Sequence, residues 1–139
     1  MLLDPICQIL QVSGTTVGRT IVVKDMHTRK ARMFAEADAF IAIPGGLGTL
    51  DETIEISTWQ QLGLHCKPVG LLNINGYFDK LIEFLDHATG EEFIRPASRA
   101  IILEDSDPAA LIDKLIAYEA PPSVVALAKE GKLDPNVRG

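Results

Sequence analysis

The chain has 139 residues, 47% hydrophobic and 23% charged, the balance of one globular domain rather than a disordered segment. Thirteen Lys and Arg against nineteen Asp and Glu leave a net charge of −6, so neither nucleic acid nor an anionic membrane is expected as a partner. No stretch approaches the roughly 20 uninterrupted apolar residues of a bilayer span, and residues 1–10 lack the basic start of a secretory signal, so the expected location is cytoplasmic.

Ile21-Val22-Val23 is a β-branched run that predicts a short strand. Residues 26–37 place Met26, Met33, Phe34 and Ala37 at helical spacing among Arg29, Arg32 and Glu36. Ala39 to Ile43 is a continuous apolar run closed by Pro44-Gly45-Gly46, the pattern of a buried parallel strand. A helix over 49–63 follows, with Leu50, Ile54, Ser57/Thr58 and Gln61/Leu62 expected as its stripe. Pro68 to Leu72 reads as the next strand, Pro68 being tolerated at its first position.

Asn75-Gly76 predicts a turn into a helix over 77–88 that Thr89-Gly90 stops. Ala100 to Leu103 reads as a further strand. Ser106-Asp107-Pro108 caps a helix over 108–119, and a short helix over 123–130 lies in the polar segment that follows. This alternation predicts an α/β fold: a Rossmann-like parallel sheet with helices on both faces. In such sheets ligands bind at the carboxyl ends of the strands, which points to residues 24–30 and 44–52.

Residues 1–33 hold five basic and two acidic groups, so a local positive centre sits on an otherwise acidic chain, a distribution that suits one bound phosphate. Cys7 and Cys66 show no metal spacing, and His27, His65 and His87 form no ligand pattern. Two reduced thiols and no metal site are expected.

Gly45, Gly46 and Gly48 strip the side chains from the approach to a helix N-terminus, where free N–H groups and the helix dipole favour an anion. The spacing fits neither a P-loop nor G-x-G-x-x-G. Two structural explanations compete. The glycines can serve a turn with positive φ, and Thr49-x-x-Glu52 can be a capping box with Thr49 as N-cap and Glu52 at N3. Arg29 and Lys30 open the helix after the first strand, where cations oppose the dipole. Such a position is tolerated when a ligand needs the charge, or when the helix simply presents a solvated basic face. Trp59 and Met33 are expected in the core rather than on a base-stacking platform.

Met26-His27-x-Arg29-Lys30, followed by Pro44-Gly45-Gly46-x-Gly48-Thr49-x-x-Glu52, resembles the paired signature of the LONELY GUY family, also known as lysine decarboxylase-like proteins. The similarity continues through Thr58-Trp59-x-Gln61-Leu62-Gly63, Lys67 to Asn73 and Gly76-Tyr77-Phe78-Asp79, over roughly residues 13–118. The resemblance implies a homodimeric cytokinin riboside 5′-monophosphate phosphoribohydrolase. Such an enzyme cleaves the N-glycosidic bond of an adenine-type nucleoside 5′-monophosphate to free base and ribose 5-phosphate. It further implies Arg29 and Glu52 as catalytic. Lys30, Gly45, Gly46, Leu47, Gly48, Thr49 and Thr58 would line the substrate site with them, without a metal or cofactor.

The family pattern also includes an earlier Cys-Gly-Ser segment and a second glycine-rich motif, neither of which is found here, and Gln11 stands where an acidic substrate contact is common. The expected organisation is therefore a divergent segment over 1–12, a partial LONELY GUY-like domain over 13–120 that lacks the N-terminal strands, and a polar tail over 121–139. The alternative function is a catalytically impaired nucleotide-binding or cofactor-carrier module of the same superfamily.

Overall fold

The computed structural model describes Leu2–Leu3 and residues 21–132. The expectations for Cys7 and Gln11 lie outside the described residues. Contacts divide the chain into two compact units, Met1–Ala37 and Asp38–Gly139.

In the first unit β1 (Leu2–Leu3) pairs in parallel with β2 (Ile21–Val22), Leu2 opposite Ile21 and Leu3 opposite Val22. A strand at Leu2–Leu3 was not expected from the sequence. Helix α1 (Met26–Glu36) follows, within a residue of its predicted span. Asp25 starts it as N-cap, its carboxylate accepting the Thr28 N–H at 2.7 Å. Extended backbone at Ala37 ends it. Met33 is 36% exposed, so the expected core position is not found.

The second unit is a three-stranded parallel sheet in the order β3-β4-β5. Its strands are β3 (Phe40–Ala42), β4 (Val69–Leu72) and β5 (Ile102–Asp105). Phe40 lies opposite Val69, and Val69 opposite Ile102. The helices are α2 (Leu47–Gln61), α3 (Asp79–Gly90), α4 (Pro96–Arg99), α5 (Pro108–Ile116) and α6 (Val124–Lys129). The α/β class and the parallel pairing are as the alternation predicts. The ladder bonds fall into two sheets, β1-β2 and β3-β4-β5.

Strand β4 explains why helices cover both faces of this sheet. Val69 and Leu71 point one way, are fully buried, and join Phe78, Leu85 and Ile101 in the core. Gly70 between them points the other way, where Leu111 and Leu115 of α5 pack directly onto its backbone. The period-two alternation of a strand thus assigns α3 and α5 to opposite sides.

Several predicted boundaries shift. The last strand begins two residues later than Ala100, because Pro96–Arg99 first forms a short helix whose N1 position suits proline. Helix α3 runs through Gly90, and the left-handed residue after it is Glu92 at φ 65°. Asn75 and Gly76 do take positive φ, 52° and 70°, but within a 3-10 turn over Ile74–Gly76 that precedes α3. Asp107 caps α5 as expected, its carboxylate accepting the Ala110 N–H at 2.8 Å, and that helix stops at Ile116 rather than near 119.

The buried stripe of α2 is also displaced. Ser57 is buried and Leu50 packs against the core as expected, but Ile54 and Leu62 are exposed, and Thr53 and Gln60 are buried in their place. Thr53 and Ser57 donate their hydroxyls to the Thr49 and Thr53 carbonyls, at 2.6 and 2.8 Å, so their polar atoms are satisfied within the helix. Trp59 is half-buried. No described helix is long and apolar enough to cross a membrane.

Candidate functional site

In the first unit, Arg29 and Lys30 occupy the opening of α1, both half-buried. The Arg29 backbone N–H bonds the Asp25 carbonyl at 3.1 Å, so the backbone is spent on helix formation. Among the described residues its guanidinium reaches only the Met26 Sδ, at 3.5 Å, a weak acceptor. Its Nε is buried without a hydrogen-bond partner among the described residues. A buried charged donor left open costs free energy, and a planar fork of donors matches a phosphate or carboxylate. The Asp25 carboxyl is held below its ordinary range chiefly by the Thr28 N–H bond, so the anion at this cap stays charged. His27 is exposed. Among the described residues, no His, Cys, Asp and Glu group could hold a metal.

In the second unit the glycine loop leads from β3 into α2, and the helix begins earlier than the capping-box expectation. Gly46 is the N-cap, with no side-chain cap bond. Its carbonyl accepts both the Thr49 N–H, at 3.0 Å, and the Leu50 N–H, at 3.2 Å. Thr49 is therefore the third helical residue and Glu52 the sixth. The capping box does not form, because the backbone turns into the helix at Gly46, three residues before Thr49 could cap it. Glu52 is half-buried and makes no hydrogen bond or ion pair among the described residues.

The positive-φ explanation for the glycines also fails. The described glycines with positive φ are Gly63, Gly76 and Gly131, none of them in this loop. Gly45 has a packing reason, since an added Cβ would collide with the Thr49 hydroxyl and stand 3.1 Å from the Thr49 Cβ. Gly46 and Gly48 have none: a Cβ at either would meet nothing within 4 Å. The Gly46, Leu47 and Gly48 N–H groups have no partner among the described residues. Unpaired N–H groups on the exposed residues Gly46, Leu47 and Gly48, at the positive end of a fifteen-residue helix, can accept an anion.

Thr58 stands on α2 six residues beyond Glu52, about 9 Å along the axis at the helical rise. Its hydroxyl back-bonds the Ile54 carbonyl at 2.8 Å. It lines a separate small cavity of ≈ 110 Å³ together with Ile54, Ser57 and Arg99. The loop itself borders an open groove of ≈ 460 Å³ lined by Leu47, Leu50, Asp51, Ile54 and Glu55.

Sequence reasoning did not single out Tyr77 as a site residue. Its hydroxyl donates to the Gly45 carbonyl at 2.6 Å, joining the turn after β4 to the glycine loop. The available signal was an aromatic residue directly behind Asn75-Gly76, a pair suited to left-handed backbone.

The family described as "Possible lysine decarboxylase" matches residues 2–115. That span begins ahead of residue 13, where the motif resemblance starts. The chain is 53% identical over 108 residues to the probable cytokinin riboside 5′-monophosphate phosphoribohydrolase LOGL6 of Oryza sativa subsp. japonica, covering 78% of this chain and 43% of that protein. Against cytokinin riboside 5′-monophosphate phosphoribohydrolase LOG7 of Arabidopsis thaliana the identity is 50% over 109 residues, covering 78% and 50%. Against LOG1 of the same plant, of the same printed activity, it is 47% over 124 residues, covering 89% and 58%. The chain thus spans about half the length of the curated relatives it matches. With four-fifths of its length inside the matched region and these identities beside it, the chain belongs to the possible lysine decarboxylase family that the LONELY GUY signature marks.

Proposed function

We propose that this chain carries the reaction centre of a cytokinin riboside 5′-monophosphate phosphoribohydrolase. It would cleave the N-glycosidic bond of an adenine-type nucleoside 5′-monophosphate, giving the free base and ribose 5-phosphate. The observation that carries this reading is the N-terminus of α2: three unpaired N–H groups on exposed residues, with the unengaged Glu52 carboxylate on the following turn. The activity in the names of LOGL6, LOG7 and LOG1 supports the same assignment.

The roles follow from charge. The substrate phosphate takes the unpaired amides of Gly46, Leu47 and Gly48, with Gly45 and Thr49 flanking them. For Arg29 and Lys30 the family resemblance is the support: Arg29 contacts a phosphate or ribose oxygen through its guanidinium, and Lys30 adds a second positive charge. A carboxylate close to the phosphate would repel it, so Glu52 serves the ribose. Bond cleavage leaves positive charge on the sugar, which Glu52 stabilises while it accepts a proton from the attacking water. The water oxygen joins the anomeric carbon as the bond to the base nitrogen breaks. The base takes one proton from solvent, and Glu52 returns the water's proton to solvent, so the protons balance. Thr58, further along α2, contacts a part of the substrate away from the phosphate. No metal or cofactor takes part.

The working assembly is a homodimer in the cytoplasm. The apolar flank of α2, where Leu47 is 85% exposed and Ile54 42%, supports pairing with a second copy, and light scattering on the purified chain tests it.

The decisive experiment incubates the chain with AMP and with isopentenyladenosine 5′-monophosphate and follows base release by chromatography. Release that disappears in Glu52→Gln is the expected result. Binding of AMP without release above the Glu52→Gln control would overturn the hydrolase and leave a nucleotide-binding module.

A further inference from the structure

The glycine loop has almost no side chains of its own to hold it. The backbone bonds at the Gly46 carbonyl hold its junction with α2, and the Gly45 carbonyl is held from outside by Tyr77, whose hydroxyl bonds it at 2.6 Å.

Tyr77 is well anchored although it is 55% exposed. The preceding turn is held by Asn73, whose side-chain oxygen accepts the Phe78 N–H at 2.7 Å and whose amide donates to Asp79 Oδ1 at 2.7 Å. The Asn73 backbone N–H bonds the Asp105 carbonyl at 2.8 Å, tying the turn to the end of β5. The Tyr77 ring stands edge-on to Phe78, with centroids 5.0 Å apart at 90°, and Phe78 is 2% exposed in the core. The hydroxyl is thus presented from a fixed base.

The bonded carbonyl belongs to the peptide unit that carries the Gly46 N–H. A trans peptide is planar, with its C=O and N–H pointing in opposite directions. Holding the Gly45 oxygen on Tyr77 therefore aims the Gly46 N–H away from Tyr77. Between two glycines a rotation of that peptide meets little steric resistance, so the tyrosine bond opposes the easiest way of losing the donor. Accepting a hydrogen bond at the oxygen also polarises the amide and strengthens its N–H as a donor.

We propose that Tyr77 is a positioning residue: its hydroxyl locks the Gly45–Gly46 peptide so that the Gly46 N–H is preset for the substrate phosphate. The inference rests on the reading of the glycine loop as the phosphate site.

The test is Tyr77→Phe in the full chain, which keeps the ring against Phe78 and removes only the hydroxyl. Affinities for AMP and for adenosine, which lacks the phosphate, are measured by calorimetry beside the Gly46 amide order parameter. In the variant AMP binding weakens about tenfold and adenosine binding stays level, because preorganisation is lost at the phosphate alone. The Gly46 order parameter falls from about 0.85 toward 0.6. AMP affinity unchanged, or AMP and adenosine affinity falling together, overturns the lock. Should the parent chain bind AMP no better than adenosine, the phosphate reading itself fails. The order parameter then decides the lock alone: a fall at Gly46 supports it and an unchanged value overturns it.

Discussion

Gly70 of β4 and Leu111 of α5 meet backbone to side chain: a Cβ added at Gly70 would stand 3.0 Å from Leu111 Cδ1 and 3.3 Å from Leu115 Cδ2. Leu111 is fully buried, so any yielding must come from a shift within the core. A side chain here pushes α5 off the sheet. Gly70→Val is expected to lower stability by about 1–3 kcal/mol through overpacking, read as a shift in the urea midpoint. Gly70→Val combined with Leu111→Ala should cost less than the sum of the two single changes, because each relieves the other's misfit.

His65 connects α2 to the entrance of β4. Its Nδ1 accepts the Lys67 N–H at 3.0 Å, which leaves the proton on Nε2 to donate to the Ile56 carbonyl at 2.9 Å. Burial pushes its pKa below the ordinary 6.5, the nearby Lys67 charge acts in the same direction, and the Ile56 bond partly opposes them. The unfolded chain therefore takes up the proton first. The stabilisation is complete above about pH 6.5 and is lost as pH falls below that value through the folded pKa. Urea midpoints at pH 7.5 and pH 5 should differ in the parent chain, and His65→Gln should reduce the difference.

Gly48→Ala separates ligand from structure at the glycine loop. A Cβ there meets nothing within 4 Å, and Gly48 does not have a positive φ. Alanine in the first turn of α2 should hold or raise stability, by up to about 1 kcal/mol. If the open space receives a phosphate, the added methyl should weaken AMP binding about tenfold, the loss of one good contact. Stability and AMP affinity both unchanged would argue against a ligand at this loop.

Glu52→Gln and Arg29→Ala should split binding from chemistry. Removing the Glu52 charge relieves repulsion of the phosphate, so AMP affinity is kept or improved while base release falls by about two to four orders of magnitude. Removing the Arg29 guanidinium should raise the KM for AMP, since it takes away a charge-assisted contact present before and during reaction. Initial rates over a range of AMP concentrations distinguish the two patterns.

The order of strands and helices was legible because it rests on local pattern. Ala39 to Ile43 and Pro68 to Leu72 are apolar runs ended by turn residues, and Asp107-Pro108 is a helix start on its own chemistry. The glycine loop was legible for the same reason, lying between an apolar run and a helical segment. The buried face of α2 was not. Ser57 of the expected stripe is buried, but Ile54 and Leu62 look like core residues in sequence and are exposed, while Thr53 and Gln60 are buried beside Ser57. Two of these satisfy their hydroxyls within the helix, and Gln60 donates its side-chain amide to the Tyr118 hydroxyl, a partner far along the chain.

The sequence alone therefore determined the α/β alternation, the family signature, and the residue types gathered at the loop. Tertiary structure decided where α2 begins, and with it that Glu52 is the sixth residue of the helix rather than a cap. It decided which glycines are needed for packing and which face open space. It also brought the Tyr77 hydroxyl to the Gly45 carbonyl, across 32 residues of chain. The physical reason is range: periodicity and capping act within a few residues, whereas steric fit and long-distance hydrogen bonds exist only once the strands have paired.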